Sequence, residues 1–272
     1  MRPGVLGYRH GMDATLEFVG TATTLLRLGP FTLLTDPNFL HRGQRAYLGN
    51  GLFSKRLTEP SLQPAELPSL DAIVLSHLHG DHFDRIARDE LEKDLPVLTT
   101  GAAASKLGQW GFGQATGLSA WHSEQLVADD AHLTITATPG RHAPGIAQRL
   151  FPPVMGSVLE LSQDASTFRL YVTGDTLFQP TLREVAERHG PLDAMVIHLG
   201  GTRALGLLVT MDAGQGADLT ELLSPTVTVP VHYDDYTVFR SPLSDFLAEC
   251  GRRALSSSVR PVGRGEVVSL AR

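Results

Sequence analysis

The stretch Ser76-His77-Leu78-His79-Gly80-Asp81-His82-Phe83-Asp84 constrains this chain more than any other. It follows the apolar run Ala72-Ile73-Val74-Leu75, so a buried strand is expected to end there in a polar loop. Three imidazoles and a carboxylate within six residues cannot pack into a loop without partners. A divalent cation suits them all, because neutral imidazole and ionised aspartate are both ready ligands near neutral pH. His77 and His79 are two apart and can turn to one side, while Asp81 and His82 can face a second ion nearby. A solitary histidine is usually surface or satisfied core, but a cluster of this density at a strand end reads as a metal site.

Three further β-runs end in the same way. Leu133-Thr134-Ile135-Thr136-Ala137-Thr138 alternates with period two and leads to Pro139-Gly140-Arg141-His142. Phe168-Arg169-Leu170-Tyr171-Val172 leads to Thr173-Gly174-Asp175, and Val227-Thr228-Val229-Pro230-Val231 leads to His232. Loops at the carboxyl ends of strands converge on clefts in α/β folds. Seven ligands from four loops would fill two adjacent metal positions and leave room for water.

The H-x-H-x-D-H run resembles the signature of the metallo-β-lactamase fold superfamily, and the later His and Asp motifs come in that family's order. Phe18-Val19-Gly20-Thr21-Ala22-Thr23-Thr24-Leu25-Leu26 and Leu34-Thr35-Asp36-Pro37 resemble the opening hairpin of one branch. That branch holds the ascorbate-6-phosphate lactonase-like and N-acyl-phosphatidylethanolamine phospholipase D-like proteins. Many of its members carry Gly-His-Ala-Thr where this chain has Gly20-Thr21-Ala22-Thr23, so the branch's substrate-pocket detail does not transfer. The resemblance implies an α/β (α+β) four-layer αββα sandwich of two mixed β-sheets flanked by helices. It further implies that His77, His79 and His142 hold a first metal, that Asp81, His82 and His232 hold a second, and that Asp175 bridges them. Asp81, Asp175 and His232 are the expected catalytic residues. Two divalent ions about 3.5–4 Å apart lower the pKa of a bound water toward neutrality, which points to a hydrolase cleaving an ester, lactone or phosphodiester bond with a metal-bridging hydroxide. Zinc is the expected metal, with manganese or iron next, since imidazole and carboxylate suit all of them and no thiol is near.

Composition narrows the alternatives. A net charge of −6 argues against a nucleic-acid partner and hence against a nuclease, because such proteins usually carry a basic face. The intact Asp175 and second-metal ligands argue against a mononuclear oxygenase, and the complete ligand set argues against an inactive sensor. Cys250 is the only cysteine, so no intrachain disulfide forms, and its setting reads as the buried side of a helix. No stretch looks like a signal peptide or reaches 18 apolar residues, so a cytoplasmic enzyme for a small-molecule substrate is expected, with residues 1–272 as a single domain.

Strands are expected near 15–19, 23–28, 31–35, 72–76, 96–99, 132–138, 156–162, 167–173, 194–199, 226–231 and 266–270. Helices are expected near 84–94, 102–109, 181–189, 213–223 and 242–250. Ser241-Pro242 reads as an N-cap followed by proline at the first helical position, and Asp212 with Gln215 as a capping box. Asp36 reads as a hydrogen-bond partner of a ligand histidine or as a turn residue. Of Tyr233, Asp234 and Asp235, which directly follow His232, one is a candidate to point inward, Tyr233 among them. His198 reads as a satisfied core histidine, and His10, His41, His122, His132 and His189 as surface. Arg141, Arg149 and Arg203 are candidates to pair with a substrate phosphate or carboxylate. The irregular stretches Asn38–Pro60 and Ala143–Pro153, with their exposed-looking aromatics and aliphatics, are expected to border the cleft.

Overall fold

The computed structural model describes residues 12–204 and 206–271. Strands β1 (Ala14–Gly20), β2 (Thr23–Leu28) and β3 (Phe31–Thr35) form an antiparallel meander, followed by a small hairpin of β4 (Arg45–Tyr47) and β5 (Phe53–Lys55). Then come β6 (Ala72–Val74), helix α1 (Arg85–Glu90), β7 (Val97–Thr100), helix α2 (Gly101–Gln109) and β8 (Ala115–Leu118). The second half opens with the antiparallel strands β9 (Ser123–Ala128), β10 (Ala131–Pro139), β11 (Met155–Gln163) and β12 (Ser166–Val172). Helix α3 (Arg183–His189) leads to β13 (Ala194–His198). A second hairpin, β14 (Arg203–Ala204) and β15 (Leu207–Leu208), precedes helix α4 (Ala213–Leu223), β16 (Val227–Val231), helix α5 (Leu243–Arg252) and β17 (Val267–Ser269).

The strands form two mixed sheets, ordered β17-β1-β2-β3-β6-β7-β8 and β16-β13-β12-β11-β10-β9. Leu16, Phe18, Leu26 and Leu33 of the first sheet meet Leu133, Ile135, Leu159 and Leu170 of the second in the central core. The other faces are also covered. Leu34, Ile73 and Val97 pack under Ala87 of α1 and Leu107 of α2, and Tyr171, Met195 and Ile197 pack under Val185 of α3, Leu219 of α4 and Phe246 and Cys250 of α5. Strand β13 is therefore buried along its whole length, as its continuous apolar run requires. The result is the expected four-layer αββα sandwich, whose parallel strands all end on the edge that carries the polar loops.

Several local expectations need correction. The helix expected over 84–94 stops at Glu90, because Leu91 turns extended and buries its side chain in the outer core. Strand β9 was not legible because it is an edge strand with no alternating burial. The stretch Asn38–Pro60 is less irregular than expected, since it folds back on itself as the β4–β5 hairpin. Ser241 does not cap α5. Its hydroxyl instead accepts from the backbone N–H of Ala213 at the start of α4, and Pro242 occupies the cap position. Asp212 does cap α4 through Gln215 N–H at 3.0 Å, but the Gln215 side chain accepts from Phe178 rather than closing the box. His189 is half-buried, stacked on Trp121 with ring centroids 6.4 Å apart, and His10 lies outside the described residues.

Candidate metal centre

All seven residues singled out in the sequence converge at one end of the sandwich, and all are buried. His77, His79, Asp81 and His82 come from the loop after β6, His142 from the loop after β10, Asp175 from the loop after β12, and His232 directly follows β16. Three overlapping groups form: His77 with His79 and His142, His77 with His82 and Asp175, and Asp81 with His82 and His232.

Four of the five imidazoles are aimed by their outer nitrogens. His142 Nδ1–H donates to the Val209 carbonyl at 2.7 Å, and His232 Nδ1–H to the Leu199 carbonyl at 3.1 Å. His77 Nδ1 lies 3.0 Å from Ser76 Oγ, whose own hydroxyl donates to Asp36. His82 Nδ1 lies 3.1 Å from the Asp36 carboxylate. With those protons fixed outward, the Nε2 atoms of His77, His82, His142 and His232 turn inward. His79 presents Nδ1, which sits 2.9 Å from His77 Nε2 and 3.3 Å from His142 Nε2. Donor atoms on one tetrahedral zinc ion are about 3.3 Å apart, given Zn–N bonds of about 2.0–2.1 Å.

The second group shows the same want of a cation. Asp81 Oδ1, His82 Nε2, Asp175 Oδ1 and His232 Nε2 are buried without a hydrogen-bond partner. His82 Nε2 and Asp175 Oδ2 approach to 3.1 Å, and His232 Nε2 and Asp81 Oδ2 to 3.5 Å, yet neither contact satisfies the inner nitrogen as a hydrogen bond. Buried polar atoms left this way are costly, and a bound metal ion removes that cost. The donor set therefore fits a pair of divalent cations.

Charge is divided across the site. Burial, then neighbouring imidazoles, push His77 well below its ordinary range and His79 down to about 4, and burial also lowers His142. These three are neutral imidazoles at neutral pH. His82 goes the other way: burial opposes its charge, but Asp175, Asp36 and Asp81 together raise its pKa well above the usual value. His232 is raised by Asp175 and Asp81 against burial. Asp175 is fully buried, yet His232 and His82 hold it well below the ordinary carboxylate range.

Asp36 holds the underside of the site. Its Oδ1 accepts from Ser76 N–H at 2.7 Å, and its Oδ2 accepts from Ser76 Oγ at 3.0 Å and faces His198 Nε2 at 3.3 Å. Despite its burial, His82 and His198 bring its pKa from 3.8 to about 2. A group lowered in the folded state stabilises it above pH 3.8, and that contribution is lost as pH falls toward 2. It amounts to roughly 2 kcal/mol. In the metal-free protein, acid unfolding of Asp36→Asn is expected to lack this part of the slope between about pH 4 and 2. Parallel curves for the variant and the parent chain would contradict it. His198 is a satisfied core histidine, as expected, and its partners are Asp36 and Thr173.

Two glycines let the loops close. A Cβ on Gly80 would stand 2.8 Å from the backbone of Tyr47, so the β4–β5 hairpin rests directly on the histidine loop. Gly174 has φ +60°, and its Cβ would meet the Met155 carbonyl at 2.5 Å. His232, Thr21 and Asp36 adopt left-handed φ of 64°, 56° and 38° without being glycine. Such backbone persists where its surroundings enforce it. Here His232 N–H donates to the Thr21 carbonyl at 2.7 Å, and Thr21 N–H donates to Asp235 Oδ2 at 2.8 Å. Asp235 is thus the inward-pointing residue after His232. Tyr233, another candidate for that role, packs into the outer core instead. Asp235 faces Arg56 at 3.6 Å with both side chains wholly buried, and Arg56 Nη1 bonds Asn38, whose Nδ2 donates to the Gly80 carbonyl at 2.8 Å. Asp84, the last residue of the histidine run, caps α1 and accepts from Phe39 and Leu40 N–H.

A family model for the beta-lactamase superfamily domain matches residues 32–233. The chain belongs to the beta-lactamase superfamily. An uncharacterized protein of Mycobacterium tuberculosis is 25% identical over 234 residues, covering 84% of this chain and 60% of that protein. The chain therefore spans only about 60% of the length of its mycobacterial relatives. A protein of Aeropyrum pernix named metal-dependent hydrolase is 26% identical and is covered nearly end to end, 93% of this chain and 96% of the other. The crystal structure of an isothiocyanate hydrolase from Delia radicum gut bacteria superposes with a TM-score of 0.78 at 18% identity, covering 95% of this chain and 100% of that one. At that identity the likeness speaks for the superfamily fold alone. No helix among the described residues is long and apolar enough to cross a membrane.

Proposed function

We propose that this superfamily member is a metal-dependent hydrolase with two divalent cations, acting on an ester, lactone, amide or phosphodiester bond of a small molecule. The observation that carries this reading is the convergence of buried His and Asp donor atoms from four loops, four of those atoms without a hydrogen-bond partner. His77, His79 and His142 would hold one ion, Asp81, His82 and His232 the other. Asp175 groups with both His77 and His82, which supports its place between the two. Cations bound there supply Lewis acidity and lower the pKa of water to near neutrality. The protein's own part is to fix four of the imidazoles by outward hydrogen bonds, to keep His77, His79 and His142 neutral as ligands, and to balance the cations' charge with Asp81 and Asp175. Zinc suits this donor set first, with manganese or iron also compatible.

Elemental analysis after mild metal loading is expected to approach two ions per chain. Hydrolysis of at least one activated ester, lactone or phosphodiester is expected to vanish with chelation and return with zinc or manganese. A firm value of one ion under saturating metal would remove the two-metal reading, and a loaded protein inert toward the whole panel would remove the hydrolase reading.

A further inference from the structure

We infer that the cleft over this centre receives an uncharged, apolar arm of the substrate, so that the compound cleaved carries an aliphatic or aryl group rather than a phosphate. The inference rests on the hydrolase reading and narrows it. The floor of the cleft is His79, Asp81, His142 and Asp175, and its cavity volume is about 140 Å³, room for a slender arm. Its walls are apolar. Leu48, Leu52 and Phe53 come from the β4–β5 hairpin, and Phe151, Val209 and Val238 from the opposite side. These walls touch the ligand residues themselves. The Phe151 ring stands edge-on to His142 at 5.3 Å, and the Val209 carbonyl is the one that orients His142.

The apolar character continues onto the surface. Nine large hydrophobic side chains are exposed among the described residues, and six of them, Tyr47, Leu52, Phe53, Ile146, Leu150 and Leu207, lie on the three loops around this mouth. Ile146 is 86% exposed and Phe53 62%. Asn50 Nδ2 donates to the Leu150 carbonyl at 2.9 Å, which ties two of those loops together. Exposed apolar groups gathered in one place mark a binding site, whereas scattered ones mark nothing.

Charge points the same way. Arg203 is the only basic residue lining the cleft among the described residues, and its Nη1 donates to the Gly206 carbonyl at 3.3 Å within its own hairpin. Arg141 and Arg149, the other candidates from the sequence, do not line it. A phosphate on the outer arm would lose water against leucine and phenylalanine, with Arg203 the one guanidinium on those walls to meet it.

The test is calorimetric binding of linear alkyl hydroxamates of two to eight carbons to the zinc-loaded protein, with metal content measured first. The head group seeks the metals and the arm probes the walls. Affinity is expected to rise about fourfold per methylene over the first several carbons. A chain of equal length ending in a phosphonate is expected to bind at least about tenfold more weakly than its methyl-ended counterpart. The Leu52→Ser/Phe53→Ser variant is expected to flatten the series with its metal content unchanged. A flat series in the metal-loaded parent chain, or tighter binding of the phosphonate, overturns the apolar arm and leaves the hydrolase reading standing. A steep series with no turnover of any substrate does the reverse. A chain that takes up no metal sinks both. Co-sedimentation with phosphatidylcholine vesicles would reassign the rim to a lipid surface and also overturn the small-arm reading.

Discussion

Replacing Asp175 with alanine is expected to cost metal affinity and turnover together. Its carboxylate is buried, one oxygen has no hydrogen-bond partner, and the other lies 3.1 Å from His82. Loss of a residue that merely orients a ligand typically costs 10–100-fold in affinity, so loss of the carboxylate proposed to be shared by both ions should cost more than about 100-fold at one position at least. In the metal-free protein the same change takes away the first-ranked carboxylate partner of the charged His82, so unfolding should become easier as well. Asp175→Asn keeps the shape but offers a single neutral oxygen, and should fall between. His132→Ala, on an exposed side chain of β10, should leave metal content and rate unaltered. Metal titration and kinetics at matched metal content check all three variants. Full activity in Asp175→Ala under those conditions would contradict the bridge.

Arg56→Met is expected to destabilise the fold by about 3–5 kcal/mol, the usual result of breaking a buried ion pair on one side. Arg56 and Asp235 are both fully buried, and Arg264 Nε at 3.0 Å would be the only cation left beside the carboxylate among the described residues. Because Asp235 also receives the Thr21 N–H, removing both members should restore only part of the loss. Denaturant midpoints for Arg56→Met, Asp235→Leu and the double variant decide the matter. Strict additivity of the two single losses would show that the pair is not coupled. Metal binding should weaken too, since Asp235 supports the left-handed turn at His232 through Thr21.

The parts of the molecule that the sequence reveals and those it hides differ in physical kind. His77, His142, Asp175 and His232 are legible because each interrupts an apolar run at its polar end, where a strand must stop. The layers are legible for a similar reason: runs such as Ala194–Ile197 have no polar side to give to solvent. Arg56 and Asp235 are hidden. Each looks like an ordinary surface charge in a loop, and only the folded chain brings them together from opposite ends of the sequence. The rotation that favours Asp235 over Tyr233 depends on the positive φ at His232, for which an H-Y-D-D sequence gives no local sign. Asp36 was recognisable as a hydrogen-bonding residue, but its partners Ser76, His82 and His198 lie on two segments far from it in sequence.

The order of the first sheet has a practical side. The matched family region begins at residue 32 and ends at 233, yet β1, β2 and β17 lie outside it and form three neighbouring strands of that sheet. A fragment cut to those limits would strip Leu16, Phe18, Leu26 and Leu270 from the central core and leave the flank of β3 with open backbone donors and acceptors. Such a bare flank pairs readily with other chains. Insoluble aggregates are the expected product of that fragment, so the family's alignment limits are a poor guide to where this protein can be cut.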